Sequence, residues 1–78
     1  MKNIYLLKDL ASISGFSTHT LKYYLRIGLL REIGRGPETN FRYFDDSSLE
    51  DLREIRDLRK KGLSLENIAK QRKDRTVL

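Results

Sequence analysis

The chain has 78 residues, no cysteine and a formal net charge of +5, from 16 lysines and arginines against 11 acidic residues. This length allows a single domain with a small core, and the lack of cysteine excludes disulfides, thiolate metal sites and thiol redox chemistry. The longest apolar run, Ile4–Leu7, is too short to span a membrane. The composition predicts a cytoplasmic domain without a membrane partner, and its basic charge favours a polyanionic partner.

The first third of the chain has the pattern of two short helices joined by a turn. Apolar residues at helical spacing predict a first helix over Leu7–Ser14, which Gly15 is suited to end. Ser17 is a suitable N-cap for a second helix over Thr18–Ile27. Two helices separated by a short turn that contains glycine have the layout of a helix-turn-helix.

The following segment changes from helical to strand-like patterning. Leu30–Ile33 and Phe41–Phe44 are short and contain β-favouring residues, so each predicts a strand. Residues 34–40 between them read Gly-Arg-Gly-Pro-Glu-Thr-Asn, the one stretch rich in glycine and proline. The sequence therefore predicts a β-hairpin with a flexible, basic-tipped loop, which we call the wing.

Two more helices are predicted after the wing. Asp45 is a suitable N-cap for a leucine-striped helix from about Asp46 to Lys61, and Ser64 caps a last short helix. Residues 70–78 are mostly basic and polar and are expected to fray. Together the elements predict a mainly α fold, a winged helix-turn-helix with four helices and a small β-hairpin wing. We assign residues 4–73 to this domain, with the helix-turn-helix at about 8–27, the wing at about 30–44 and a tail at 74–78.

The second predicted helix has two chemically different sides. Leu21, Tyr24, Leu25 and Gly28 share one side, and the other side carries His19, Lys22, Tyr23 and Arg26. We predict that Tyr24 packs in the core and that Tyr23 is exposed beside the two cations, where its hydroxyl can contact phosphate. The alternative is that Tyr23 covers the wing. Thr18 and His19 lie in the first turn, where helix-turn-helix proteins contact base edges, although His19 could also be a plain surface residue.

Catalytic and metal-binding chemistry have little support, and the chain is predicted not to be an enzyme. Asp45 and Asp46 precede a leucine-striped helix, so helix capping explains them better than paired catalytic carboxylates. Ser17, Thr18 and His19 lack an acid to orient the histidine, and one histidine alone does not make a metal site. No cofactor and no metal are expected.

Six spaced motifs carry a family resemblance. In chain order they are Leu10-Ala11, Gly15-Phe16-Ser17, Thr20–Tyr24, Gly28-Leu29-Leu30, Phe41–Phe44 and Gly62–Ile68. In this order and spacing they resemble the N-terminal domain of the MerR-type transcriptional regulators, from about Ile4 to Lys70. The resemblance implies a sequence-specific, promoter-binding domain whose recognition helix enters the major groove while the wing contacts the phosphate backbone.

The resemblance also assigns residue roles. Arg42 matches the arginine that commonly grips phosphate in the family, and Lys22 and Tyr23 match its backbone-contacting Arg-Tyr pair. Lys22 keeps the charge of the usual arginine but loses its bidentate fork, and His19 replaces a frequent arginine. The residues expected to contact DNA are Thr18, His19, Lys22, Tyr23, Arg26, Arg35 and Arg42.

The implied partner is double-stranded DNA, with RNA polymerase reached through the promoter complex. Family members usually continue into a dimerisation helix, so a homodimer is expected in a longer chain. A naturally short member would instead bind as a monomer or side by side. The alternative function is that of an excisionase-like or other architectural DNA-binding protein with the same small winged fold. A third class, a protein-interaction module that uses the basic wing, has no positive sign in the sequence.

Overall fold

The computed structural model describes residues 3–76, and it describes side chains for residues 3–72. In this range the chain forms the four predicted helices and a small antiparallel sheet. The helices are α1 (Leu7–Ser14), α2 (Thr18–Arg26), α3 (Asp46–Lys60) and α4 (Leu65–Thr76). The strands are β1 (Tyr5–Leu6), β2 (Gly34–Arg35) and β3 (Arg42–Phe44). The predicted fold class, four helices with a small β-hairpin wing, is confirmed.

The turn between α1 and α2 is built by local backbone chemistry. Gly15 has a φ of +83°, the left-handed conformation that glycine adopts without steric cost. Its N–H donates to the carbonyl of Ala11 over 3.0 Å and closes α1. Ser17 Oγ accepts a hydrogen bond from the N–H of Thr20 over 3.1 Å and caps α2. The predicted cap of α3 is present too, since Asp45 Oδ1 accepts from the N–H of Ser47 over 3.0 Å.

The sheet differs from the predicted hairpin in two ways. The strand order is β1-β3-β2, so β3 lies in the middle and Tyr5 pairs with Phe44. A first strand was not predicted, because two residues are too few to show a period. The predicted strand over Leu30–Ile33 is wrong, since β2 begins at Gly34. Leu30 is buried in the core instead, and only the N–H of Ile33 joins the ladder, by donating to the Tyr43 carbonyl over 3.0 Å.

The ends of the later helices also differ from the prediction. The helical backbone of α4 runs through Thr76 and therefore includes most of the segment expected to fray. Arg72 attaches α4 to α3, with its guanidinium 2.6 Å from an Asp51 oxygen and 3.4 Å from a Glu54 oxygen. Residues 77–78 of the predicted tail lie outside the described residues. The helices α2 and α3 each end one residue before the predicted end.

The core joins all four helices to the central strand. Its buried apolar residues are Leu10, Leu21, Tyr24, Leu29, Leu30, Phe44, Leu52, Ile55 and Ile68. Arg56 of α3 fixes the helix-turn-helix from outside, because its guanidinium donates to the Ser14 carbonyl and lies 4.8 Å from the centre of the Phe16 ring. Phe16 meets Tyr24 edge to face at 5.6 Å. The orientation of α2 is thus set by packing of its inner side against the core.

Candidate nucleic-acid interface

The two sides of α2 separate as the sequence predicts. Leu21 is fully buried and Tyr24 is 5% exposed, whereas the neighbouring Tyr23 is 40% exposed. His19 and Lys22 are also exposed. Burial raises the pKa of the Tyr24 phenol, partly offset by the charge of Arg59, so this hydroxyl stays protonated in the core. The prediction that Tyr24 packs while Tyr23 is presented is confirmed.

The Tyr23 ring contacts two other residues of α2, a cation and an aromatic ring. The guanidinium carbon of Arg26 lies 5.8 Å from the ring centre, a cation–π contact, and the Tyr24 ring lies 6.4 Å away at a tilt of 49°. Tyr23 remains 40% exposed, and its chain neighbour Lys22 is exposed as well. A tyrosine held in this way presents a hydroxyl and two adjacent cations on one surface, which suits a phosphate backbone better than a role as cover for the wing.

The first turn of α2 presents short polar side chains. Ser17 is committed to capping, and its hydroxyl also donates to Thr20 Oγ1 over 2.9 Å. Thr18 and His19 are exposed on the outward side of the same turn. A helix whose first turn carries small, exposed hydrogen-bonding groups can approach base edges closely.

The wing is shaped by close packing of its own residues. A Cβ atom at Gly34 would overlap the Tyr43 ring, so only glycine allows this ring to lie across β2. The loop closes where the N–H of Gly36 donates to the Phe41 carbonyl and the N–H of Asn40 donates to the Gly36 carbonyl, each over 2.9 Å. Asn40 has a φ of +59°, a conformation that asparagine tolerates better than most residues.

The register of the wing places its two arginines side by side. Arg35 of β2 and Arg42 of β3 are direct cross-strand partners, so both side chains lie on the same face. Both reach Glu32: Arg35 Nε lies 3.1 Å and Arg42 Nε lies 3.4 Å from Glu32 Oε2. This shared carboxylate was not predicted. Its spacing to Arg35 is visible in the sequence, but its contact with Arg42 depends on the strand register.

An open groove lies between α2 and the wing. The residues that line it are Lys22, Leu25, Arg26, Gly28, Leu30, Arg31, Glu32, Arg35 and Arg42. Five of these are cations and one is an acid, so the lining has a formal charge of +4. Four of the predicted contact residues therefore meet in one groove, whereas Thr18, His19 and Tyr23 lie on the adjacent outward side of α2. Arg31 belongs to the groove but was not predicted, because the expected strand gave it no special position.

Neither a cluster of metal-binding side chains nor a membrane-spanning helix is found among residues 3–72, whose side chains the structure describes. No group of three or more histidine and acidic side chains in this range could hold a metal ion. None of the helices in the described part of the chain is both long and apolar enough to cross a membrane. The dominant chemical feature is the basic groove with the outward side of α2 beside it.

Two short helices with a tight turn, followed by a basic hairpin beside the second helix, define a winged helix-turn-helix domain. Within that class, residues 5–73 match the family described as "MerR HTH family regulatory protein". The chain belongs to this family. The resemblance found in the six sequence motifs is confirmed, and the excisionase-like alternative is not favoured.

Individual relatives agree with this family. The chain is 35% identical over 64 residues to the HTH-type transcriptional regulator CueR of Bacillus subtilis (strain 168), an alignment that spans 82% of this chain and 43% of that protein. It superposes on HiNmlR, described as a MerR family regulator lacking the sensor domain and bound to promoter DNA, with a TM-score of 0.79 and 34% identity over 87% of this chain and 53% of the other. A MerR family transcriptional regulator from Bacillus cereus gives a TM-score of 0.83 and 25% identity over 97% of this chain and 56% of the other. The chain thus spans about half the length of these relatives.

Proposed function

We propose that this domain binds promoter DNA as the DNA-binding part of a transcriptional regulator. In this proposal α2 enters the major groove and the wing contacts the phosphate backbone. The observation that supports it most strongly is the convergence of Lys22, Arg26, Arg35 and Arg42 on one groove beside the exposed side of α2. Promoter DNA is the ligand in the structure of HiNmlR, whose fold this chain shares.

Sequence discrimination is assigned to the first turn of α2. Thr18 and His19 are exposed there, and hydrogen-bonding groups at this position of a recognition helix reach base edges. Replacing His19 with alanine is expected to change the preferred sequence more than the affinity for random DNA. Binding selection from a randomised duplex library measures this. Equal losses on selected and random DNA would remove His19 from the base-reading set.

Backbone contacts are assigned to the groove and to Tyr23. If Lys22, Arg26, Arg35 and Arg42 each neutralise one phosphate, the logarithm of the binding constant should fall with the logarithm of salt concentration with a slope of about −3.6, from about −0.9 per contact on B-DNA. The Tyr23 hydroxyl would donate to a further phosphate oxygen without adding to this slope. A slope close to zero would exclude a binding mode dominated by phosphate contacts.

The larger assembly is part of the proposal. A longer chain would form a homodimer that joins two half-site contacts and reaches RNA polymerase through the promoter complex at the nucleoid. An isolated domain would bind more weakly, because linking two contacts raises their effective concentration. A footprint on the DNA around its own gene, with the stoichiometry of the complex measured, tests the half-site arrangement. A protected site with one domain per half-site supports this arrangement, and DNA without a protected site contradicts it.

A further inference from the structure

We propose that Glu32 is a built-in competitor for the wing arginines, an anion that occupies Arg35 and Arg42 in the free domain and limits their affinity for a backbone phosphate. This inference rests on the proposed function, because it concerns the strength of the same DNA contacts. It concerns a different residue, however. Removing the Glu32 charge should strengthen DNA binding, whereas removing a residue that contacts DNA should weaken it.

The geometry makes one carboxylate serve two guanidinium groups. Arg35 Nε donates to both Glu32 oxygens, over 3.2 Å and 3.1 Å. Arg42 Nε is 3.4 Å from the same Oε2 atom. A phosphate is the same kind of ligand for guanidinium as a carboxylate, an anionic group with two or more acceptor oxygens. A phosphate that approaches either arginine therefore meets a site where an anion is already bound.

The position of Glu32 in the groove makes the competition direct. It is the one acidic residue among the nine that line the groove. Its side chain is 30% exposed, and those of Arg35 and Arg42 are 43% and 39% exposed, so a DNA strand in the groove would come close to all three. Ion pairs this open to water are weak and exchange readily, so they can yield to a stronger anion.

The Glu32 carboxylate opposes DNA binding whether it stays in place or is displaced. If Glu32 stays in place, its negative charge lies next to the incoming phosphate and the two repel. If it is displaced, its pairs with Arg35 and Arg42 are lost. Removing the charge removes both penalties while leaving the arginines in place. For a like charge at about 6 Å in an effective dielectric of about 40 to 80, the gain in affinity is about three- to tenfold at low salt.

The deciding variant is Glu32→Gln, with Glu50→Gln as a matched control. Glu50 also forms an ion pair with an arginine three residues later, Arg53, over 3.3 Å, but it lies on α3 and does not line the groove. Both substitutions change the net charge by the same amount and replace a carboxylate with an amide of the same size. A difference in DNA affinity between the two variants is therefore due to the position of the removed charge and not to the net charge of the domain.

Binding of a short random-sequence duplex by fluorescence anisotropy gives the first readout. We expect Glu32→Gln to bind about three- to tenfold tighter than the wild type, and Glu50→Gln to change affinity less than twofold. The advantage of Glu32→Gln should shrink between about 0.05 M and about 0.3 M salt, because the Debye length shortens. Equal affinities of the two variants, or weaker binding by Glu32→Gln, would overturn the proposal, the latter by showing that Glu32 orients the arginines.

Elution from immobilised heparin, a sulfated polyanion, separates this proposal from the proposed function. If the wild type ignores DNA, the DNA-binding function fails, but the order of elution still tests Glu32. Later elution of Glu32→Gln than of Glu50→Gln supports competition at the wing arginines, and co-elution of the two overturns it. Thermal unfolding of both variants shows whether each domain remains folded.

Discussion

The outward side of α2 and the wing present positive charge in different ways. Among the residues whose side chains are described, Lys22 and Arg26 have no acidic partner, and Arg26 lies over the Tyr23 ring. In the wing, Arg35 and Arg42 share the Glu32 carboxylate. The helix α2 thus offers uncompensated charge on an element packed into the core, whereas the charge of the wing is partly neutralised within the molecule. Two basic surfaces of similar composition can therefore differ in how strongly they attract a polyanion.

The largest effect is expected on folding stability, where substitutions of the adjacent tyrosines compare the inner and outer sides of α2. Tyr24→Ala should lower the free energy of unfolding by about 3–5 kcal/mol, because it empties a buried aromatic site. Tyr23→Ala should lower it by about 1 kcal/mol or less, since this ring is exposed, and should weaken DNA binding instead. Chemical denaturation of both variants measures the contrast. Similar losses of stability would mean that Tyr23 is also a core residue.

The next largest effect is expected on DNA affinity, where loss of a cation from α2 is compared with loss of a cation from the wing. Lys22→Ala should weaken DNA binding about eightfold at 0.1 M salt, the loss expected for one phosphate contact with a slope of about −0.9. Arg42→Ala should weaken binding by a smaller factor, because Glu32 already offsets part of its charge. For each variant, the loss of affinity should be independent of the DNA sequence, because the contact is to phosphate. Anisotropy titrations on one duplex compare the two directly, and a larger loss for Arg42→Ala would reverse the proposed difference between helix and wing.

The smallest effect concerns the contact that joins β1 to α3, away from both basic surfaces. The Tyr5 hydroxyl donates to Asp46 Oδ1 over 2.8 Å, and this bond is the main cause of a lowered pKa of the Asp46 carboxyl. Tyr5→Phe should move that pKa back towards its ordinary value, as an NMR titration can measure. A group whose pKa is lowered by folding stabilises the fold above its unfolded pKa and loses this effect as pH falls through the folded pKa. The wild type should therefore lose this small contribution on acidification, and the variant should lack it. An unchanged Asp46 titration in Tyr5→Phe would rule out the hydroxyl as the cause.

The helical half of the molecule could be predicted from the sequence because its determinants are local. The bounds of α1 match the prediction, since Gly15 ends the helix by its own conformation and Ser17 caps the next helix within three residues. The separation of Tyr23 from Tyr24 also follows from helical periodicity alone. Interactions between residues close in the chain leave a readable pattern.

The wing could be predicted only in outline because its determinants are non-local. The apolar Leu30 suggested a strand, but it is used to fill the core, and the strand begins later at Gly34. The shared contact of Glu32 with both arginines requires the pairing of Arg35 with Arg42, which depends on how the loop of residues 36–40 closes. The opposing acid in the candidate site was therefore invisible until the register was known.

The most direct test of the central claim is to map the DNA-binding surface by NMR. Amide chemical shifts of the labelled domain would be followed during titration with the footprinted duplex. If α2 and the wing bind DNA, the largest changes will fall on Thr18–Arg26 and on wing residues 34–42, with α4 nearly unchanged. Changes confined to α4 and the outer side of α3, with α2 silent, would contradict it.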